Sequence, residues 1–168
     1  QASFRTAAPV AAHGMTANGS YVRDLRKALF SEQASSLVAG PRFWEPYRAA
    51  GHRVALLFWQ QSLGEAADQI LSPAPIHKHG GGLVDAVYSK PHDLYDRLRA
   101  RVGRHFRLVR YWGPLASPAA SDWIADATAA LLADPAEAPD LCLTYLPGLD
   151  YDLQRYGPGD PRSARAVS

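Results

Sequence analysis

The segment HRVALLFWQ, residues 52–60, constrains the fold more than any other part of the chain. A strand with one face in water alternates apolar and polar residues, whereas this segment is continuously apolar from Val54 to Trp59. It is also far shorter than the roughly 20 apolar residues that cross a bilayer. We therefore predict a strand that is covered on both faces, as in a parallel sheet.

Other segments complete an alternating pattern of helices and strands. The run PDLCLTYLP, residues 139–147, is typical of a second buried strand, and a weaker one is expected near residues 69–72. Residues 73–91 contain three consecutive glycines and are predicted to form a long loop. Helices are expected over residues 40–51, 92–103 and 121–135, and residues 1–8 also have helical composition. Alternating helices and buried strands predict the α/β class, with a mainly parallel sheet and flanking helices.

Composition narrows the partners. The 168 residues are 47% hydrophobic and 20% charged, which is ordinary for a single globular domain, and no boundary divides the chain. A formal net charge of +2 is too small to indicate a nucleic-acid surface, so we expect no nucleic-acid polymer as partner. No apolar run is long enough to span a membrane.

The segment LPGLDYDLQRYGPGDP, residues 146–161, follows the second buried strand. Ligands of such sheets bind beyond the carboxyl ends of the strands, so a loop over residues 148–158 is the best candidate site. A strand-end carboxylate such as Asp150 is a natural ligand for Zn²⁺, Mg²⁺ or Mn²⁺. Alternatively, Asp150 caps a helix through LQRY while Asp152 pairs with Arg155.

Asn18, in HGMTANG, either donates to a phosphate oxygen or belongs to an ordinary Asn-Gly turn. His13, beside a glycine, is expected to hold the loop through its ring N–H. Trp59 and Trp112 each end an apolar run at a turn, which places them at the rim of a pocket.

His77 and His79, in IHKHGGG, are two residues apart, as in a chelating pair. No third ligand is visible near them in the sequence, so a solvated loop is the simpler interpretation.

Two segments resemble a known family. QASFRTAAPVAAHGMTANGSYVRDL resembles the segment after the nucleophile of type I phosphodiesterases/nucleotide pyrophosphatases, a branch of the alkaline phosphatase superfamily. PDLCLTYLPGLDYDLQRYGPGDP resembles the strand and metal loop of the same family, in which Asp is followed after three residues by His and shortly by Tyr-Gly-Pro. The resemblance implies a partial alkaline-phosphatase-like core.

In that family, two zinc ions flank a Thr or Ser nucleophile, polarise the phosphate and lower the pKa of the nucleophile. The resemblance places Asn18 where a phosphate oxygen is held and Asp150 at the first aspartate of the metal loop. Gln154 replaces the usual metal-binding histidine. Because a carboxamide oxygen is a poor zinc ligand, that metal site is weakened, prefers Mg²⁺ or Mn²⁺, or is lost. Arg155 beside it could offset the lost positive charge next to a phosphate.

The resemblance also implies that the catalytic machinery extends beyond the chain. The nucleophile is expected a few residues before Gln1, the first metal-binding aspartate further upstream, and the remaining ligands after Ser168. We therefore expect residues 1–168 to be a partial domain, truncated at both ends, inactive alone, with or without a bound metal, and prone to self-association through uncovered sheet edges.

The substrate implied by the resemblance is a phosphodiester or nucleotide-like small molecule. Two alternatives are compatible with the same residues. One is a monoesterase, sulfatase or phosphonate hydrolase of the same superfamily. The other is a degenerate member that binds a phosphorylated ligand or a partner without catalysis.

Overall fold

The computed structural model of the protein describes residues 1–77 and 83–166. Its strands are β1 (Gly19–Val22), β2 (Lys27–Phe30), β3 (Val54–Leu57), β4 (Gln69–Pro73), β5 (Ile76–His77), β6 (Leu83–Val84), β7 (Val87–Lys90) and β8 (Leu141–Thr144). Its helices are α1 (Ala2–Thr6), α2 (Val10–His13), α3 (Glu45–Ala49), α4 (Leu94–Val102), α5 (Leu108–Tyr111), α6 (Ala119–Leu132), α7 (Gly148–Tyr156) and α8 (Pro161–Arg165), with a 3₁₀ turn at Ser35–Leu37.

The main sheet has the strand order β7-β4-β3-β8. Strand β3 pairs in parallel with β4 on one side and with β8 on the other, and β7 joins β4 antiparallel at the edge. All four residues of β3 are at most 1% exposed. The prediction of a mainly parallel sheet with a central strand covered on both faces is confirmed.

The two faces of β3 bury different clusters, which explains why the segment is continuously apolar. Ala55 and Leu57 belong to the larger core, where α4 and α6 contribute half of the buried side chains. Val54 and Leu56 point the other way and pack with a smaller cluster that includes Trp44. Because side chains alternate along a strand, both sets must be apolar when helices or loops cover both faces.

The prediction of a long loop over residues 73–91 is wrong. Strand β7 lies in this range, pairs with β4 and is half-buried, and β5 and β6 form a short antiparallel pair. The sequence obscures β7 because turn-forming residues flank a strand of only four residues. Residues 78–82, which include His79 and the three glycines, lie outside the described residues. The interpretation of His77 and His79 therefore stays a prediction.

Other boundaries differ from the predicted ones. The helix expected over residues 40–51 is restricted to α3, and α6 begins two residues earlier and ends three residues earlier than predicted. Pro118 occupies the N-cap of α6, and the hydroxyl of Ser121 accepts from the backbone N–H of Gly148 at 2.8 Å. The hairpin of β1 and β2 was not predicted. Among the described residues, no helix is long and apolar enough to cross a membrane.

One side chain ties α3 to the sheet. The carboxylate of Asp68 accepts from the Arg48 guanidinium at 2.7 and 3.0 Å and from the backbone N–H of Val54 at 2.9 Å. These hydrogen bonds, chiefly the one from Arg48, hold the pKa of Asp68 below its ordinary value. Partial burial acts in the opposite direction. The ionised carboxylate therefore stabilises the start of β3.

Because the folded-state pKa of Asp68 is lowered, its stabilising effect is fully present above the ordinary carboxyl pKa near 4 and is lost as the pH falls through the folded-state value. Asp68→Asn should lower the free energy of unfolding at pH 7 by about 1 kcal/mol, since the pair is partly solvated. It should also make stability less dependent on pH below about 5. Urea unfolding of both proteins between pH 3 and 7 measures this. Asp126→Asn, which removes a half-exposed partner of Arg104, is the control. Equal acid dependence of wild type and Asp68→Asn would contradict the assignment.

Candidate functional site

A cleft of about 250 Å³ opens at the carboxyl edge of the parallel strands. Strands β3 and β8 are neighbours, and the segments that follow both of them contribute to its lining. The lining residues are Asn18, Ser31, Gln33, Gln60, Gln61, Tyr111, Trp112, Gly113, Tyr145, Pro147, Asp150, Tyr151, Gln154 and Arg155. The cleft thus lies where a parallel sheet is expected to bind its ligand.

Residues 148–158 do not form the predicted loop, because residues 148–156 are the helix α7. Asp150 lies in the first turn, and Pro147, not Asp150, is the N-cap. Four residues on, Gln154 Nε2 donates to Asp150 Oδ2 at 2.7 Å, as the spacing of a helix allows. Tyr145 Oη also lies 3.5 Å from the same oxygen. The helix therefore presents Asp150 and Gln154 together on its cleft side.

Asp152 and Arg155, which lie in the same helix, behave differently. Asp152 lies in a neighbouring groove that is lined by Leu149, Tyr156 and Arg162, among others. The guanidinium of Arg155 donates to the backbone oxygen of Ala116 at 3.0 Å, so it is directed along the cleft wall rather than toward Asp152. The alternative with an Asp152–Arg155 pair and a capping Asp150 is not what the structure shows.

Asn18 reaches the cleft from the opposite end of the chain. It lies just before β1, and its backbone oxygen accepts from the N–H of Ser31 at 2.9 Å, which closes the hairpin. Gln33 then links the hairpin to the sheet: its Nε2 donates to the Ser31 oxygen, and its Oε1 accepts from the N–H of Gln61 at 3.1 Å. The hairpin that begins beside Asn18 is therefore linked through Gln33 to the segment after β3.

A buried ionic cluster holds the segment after β3. The fully buried guanidinium of Arg5 donates to the backbone oxygens of Gln60 and Gln61, the latter at 2.6 Å. Glu65 lies 3.4 Å from Arg5 and accepts from Arg42 at 2.8 Å. Burial lowers the pKa of Arg5, and the Glu65 carboxylate opposes this effect.

Gln61 has a positive φ of 52°, which is uncommon for a residue other than glycine. Such strain persists only where the surroundings fix the backbone. Here Arg5 binds the carbonyl of Gln61 and Gln33 binds its N–H, so both ends of the strained residue are held. Neither Arg5 nor Gln61 was recognised from the sequence, because the charged and amide groups that meet here are far apart along the chain.

Three tyrosines that sequence reasoning also missed surround Asp150. Tyr151 Oη donates to the backbone oxygen of Tyr111 at 2.8 Å, and Tyr145 follows β8 directly. Burial raises the pKa of Tyr111 and of Tyr151, and burial together with the Asp150 carboxylate raises the pKa of Tyr145 to about 12. The three phenols are therefore neutral hydrogen-bonding groups at physiological pH.

The remaining candidates are distributed as follows. Trp112 is half-buried and lines the cleft, as predicted, whereas the described lining residues do not include Trp59. The ring centroid of Trp59 lies 5.7 Å from that of Phe4, and Trp59 packs against the smaller core.

His13 is buried; its Nδ1 accepts from the N–H of Met15 at 3.1 Å and its Nε2 lies 2.8 Å from the Ser3 hydroxyl. This geometry makes His13 a loop-holding residue, through an acceptor as well as a ring N–H.

The donor set of the cleft fits one metal ligand but not a whole metal site. Asp150 is exposed and offers a carboxylate, the hard oxygen donor that Zn²⁺, Mg²⁺ and Mn²⁺ accept. Within residues 1–77 and 83–166, however, no three His, Cys, Asp or Glu side chains are grouped as a metal would require. Any ion bound at Asp150 therefore needs ligands from other residues.

This arrangement of sheet, helices and edge cleft is that of an alkaline-phosphatase-like core. Two matching solved structures are of phosphonoacetate hydrolase from Sinorhizobium meliloti 1021, one in complex with phosphonoacetate and one with phosphonoformate. The first is 21% identical with a TM-score of 0.57, and the second 19% identical with a TM-score of 0.56. In both, 98% of this chain is covered but only 38% of the matched chain.

The family model of type I phosphodiesterase/nucleotide pyrophosphatase matches residues 1–168. The chain therefore belongs to the type I phosphodiesterase/nucleotide pyrophosphatase family. A search of curated proteins found no match.

The buried cluster that shapes the cleft gives a test. Glu65→Gln removes the only carboxylate described between Arg5 and Arg42 and leaves two buried guanidinium groups without a counter-charge. The free energy of unfolding should fall by about 3 kcal/mol, since breaking a buried ion pair is costly. Urea unfolding at pH 7 measures this loss. Asp96→Asn, which removes an exposed partner of Arg99, should change stability by less than about 1 kcal/mol. Similar losses in both variants would contradict a structural role for the cluster.

Proposed function

We propose that this chain is part of a metal-dependent hydrolase of phosphodiester or pyrophosphate bonds, whose Thr or Ser nucleophile lies outside the chain. The observation that supports this most strongly is the meeting of Asn18 and Asp150 at one cleft. These two residues come from opposite ends of the chain, and each was singled out by its own motif. A chance resemblance would not require the two motifs to meet at the edge where parallel sheets bind ligands.

In this proposal, the Asp150 carboxylate would hold the metal through one of its oxygens. Its other oxygen is occupied by Gln154 at 2.7 Å and lies 3.5 Å from Tyr145, and such outer hydrogen bonds orient a ligating carboxylate. When bound, the metal supplies Lewis-acid polarisation of the phosphate. Zinc is the ion that the family resemblance favours, while an oxygen donor set would suit Mg²⁺ or Mn²⁺ equally well.

Gln154 has a different role from the histidine that usually occupies its position in the family. Ionised Asp150 can only accept hydrogen bonds, so the amide nitrogen of Gln154 must face it. The side chain then acts on the carboxylate and not on the ion. We propose that Gln154 is a positioning residue for Asp150.

Asn18 and Arg155 are proposed to bind the phosphoryl group. Both line the cleft, and both are exposed, so each can reach a ligand without rearrangement of the core. The Asn18 amide donates to a phosphoryl oxygen, and Arg155 balances its negative charge. The bond from Arg155 to the Ala116 backbone fixes the direction from which the guanidinium approaches.

We also propose that the chain is inactive in isolation. The chain spans 38% of the solved structures it matches, and the described residues contain one candidate metal ligand in the cleft, so nucleophile and further ligands would come from the rest of the protein. Within the described sheet, β8 is an edge strand, which supports self-association of the isolated chain.

A second candidate function rests on Gln154. With the usual histidine replaced and the amide nitrogen turned to Asp150, the protein would bind a phosphorylated ligand without hydrolysing it. The experiments below separate the two.

Asp150→Ala is expected to abolish metal-dependent hydrolysis of bis-p-nitrophenyl phosphate by the complete gene product, with a loss of at least about a hundredfold, since an outer partner of a ligand alone is worth 10–100-fold. Asp152→Ala, on the same helix but in the neighbouring groove, is the matched control and should retain turnover. Assays with added Zn²⁺ or Mn²⁺ measure kcat/KM. Absence of turnover in the wild type with either ion would reject the hydrolase and favour the binding protein.

Gln154→Leu keeps the size of the side chain but removes the donor to Asp150. We expect affinity for Mn²⁺ or Zn²⁺, measured by isothermal titration calorimetry on the complete gene product, to fall by about 10–100-fold. Gln154→His should raise zinc affinity above the wild-type value, because a ring nitrogen is the better zinc ligand. Unchanged affinity in Gln154→Leu would show that Gln154 neither positions Asp150 nor binds the ion.

A further inference from the structure

The tyrosine wall of the cleft, formed by Tyr111, Tyr145 and Tyr151, is not used by the proposed chemistry. The three residues come from separate elements: Tyr111 ends α5, Tyr145 follows β8, and Tyr151 lies in α7. All three line the cleft beside Asp150. A wall assembled from three elements next to the proposed metal ligand is placed to contact the part of a substrate that does not react.

Tyr111 carries the main observation. Its side chain is 2% exposed, and its hydroxyl has no hydrogen-bond partner among the described residues. Its ring is packed against three others: the ring centroids lie 5.6 Å from Phe58, 5.8 Å from Phe106 and 5.3 Å from Trp112. A buried hydroxyl without a partner is unfavourable, so a group that enters the cleft and bonds to it gains binding free energy.

The other groups of the cleft indicate which chemistry would bind. Apart from Asp150 and Arg155, its polar side chains are neutral carboxamides and hydroxyls, such as those of Gln60 and Tyr145. Carboxamides and hydroxyls both donate and accept hydrogen bonds. Ligand hydroxyls do the same, whereas phosphate oxygens only accept. The half-buried ring of Trp112 adds an apolar surface for the C–H groups of such a ligand.

The size of the cleft, as far as the described residues enclose it, favours a small alcohol over a nucleoside. Its volume of about 250 Å³ lies below the roughly 300–1,000 Å³ of pockets that enclose drug-sized ligands. That space suits a phosphoryl group with one small alcohol more than a phosphate with ribose and base. The ring of Tyr111 is enclosed by Phe58 and Phe106, so this residue offers no free face on which a base could stack.

We infer that the tyrosine wall, together with Trp112, is a subsite for a polyhydroxylated alcohol, of the glycerol or sugar type, that is esterified to the phosphate. This inference rests on the proposed function, since it names the substrate class of the same cleft. Tyr111 is the specificity-determining residue, because its hydroxyl has no partner among the described residues and a ligand in the cleft can supply one.

The test uses the complete gene product and three p-nitrophenyl phosphate diesters, which share the p-nitrophenolate leaving group. Their second alcohol is glycerol, glucose or the 5′-hydroxyl of thymidine. We expect kcat/KM for the glycerol or glucose diester to exceed that for the thymidine diester by about tenfold or more. Comparison of the glycerol diester with the glucose diester shows which of the two alcohols the subsite prefers. Tyr111→Phe should lower the ratio of polyol to thymidine kcat/KM by about tenfold, the effect of one hydrogen bond. The variant removes only an unpartnered hydroxyl, so its fold should be retained.

Tyr47→Phe is the matched control, because Tyr47 stacks on His52 away from the cleft and should leave that ratio unchanged. A thymidine preference, or a ratio that Tyr111→Phe does not alter, would overturn the inference. If the wild type hydrolyses none of the diesters, the proposed function fails and the subsite is judged by binding alone. Calorimetric titration with glycerol 3-phosphate, glucose 1-phosphate, thymidine 5′-phosphate and inorganic phosphate then decides. Binding of a polyol phosphate about tenfold tighter than the others would support the subsite, and equal binding would overturn it.

Discussion

The carboxylate of Glu65, buried between Arg5 and Arg42, connects the parts of the molecule that build the cleft. Arg5 lies near the start of the chain and donates to the carbonyls of Gln60 and Gln61, which follow the central strand. Arg42 uses its remaining donors on the backbone oxygens of Gly40, Ser35 and Val38. Two buried cations beside one anion are tolerated because backbone oxygens also accept hydrogen bonds from both guanidinium groups. The same bonds fix the wall that Gln60 and Gln61 present.

The elements predicted correctly are those whose signal is local. Strands β3 and β8 follow from short apolar runs, although β8 is half-buried at the edge of the sheet and not buried as predicted. Helix α4 follows from the spacing of Leu94 and Leu98, which are both buried. Strand β7 and the β1–β2 hairpin are stabilised by pairing, and their sequences are mixed in polarity, so their identity depends on neighbours that the sequence does not show. Residues 148–156 are polar enough to suggest a loop, yet Gly148 is fixed by Ser121 and the helix continues to Tyr156.

The candidate site divides in the same way. Asn18, Asp150, Gln154 and Arg155 were selected from their motifs, and the structure brings all four to one cleft. Tyr111 could not have been selected, because an aromatic residue in LVRYW is indistinguishable from ordinary core by sequence, and it is in fact part of the core. One atom sets it apart, the buried hydroxyl that has no hydrogen-bond partner among the described residues, and only the structure reveals this.

The helix α7 shows how a substitution at a ligand position need not disable a site. In a helix, residues 150 and 154 lie on the same side, so any polar side chain at 154 is within reach of Asp150. A ring nitrogen there can turn to an ion, whereas the amide of Gln154 donates to Asp150. The exchange removes a ligand but leaves the carboxylate oriented, and the neutral phenols around it add hydrogen-bonding capacity without charge. A site altered in this way would depend less on metal coordination and more on hydrogen bonds to the substrate, which is the physical link between Gln154 and the tyrosine wall.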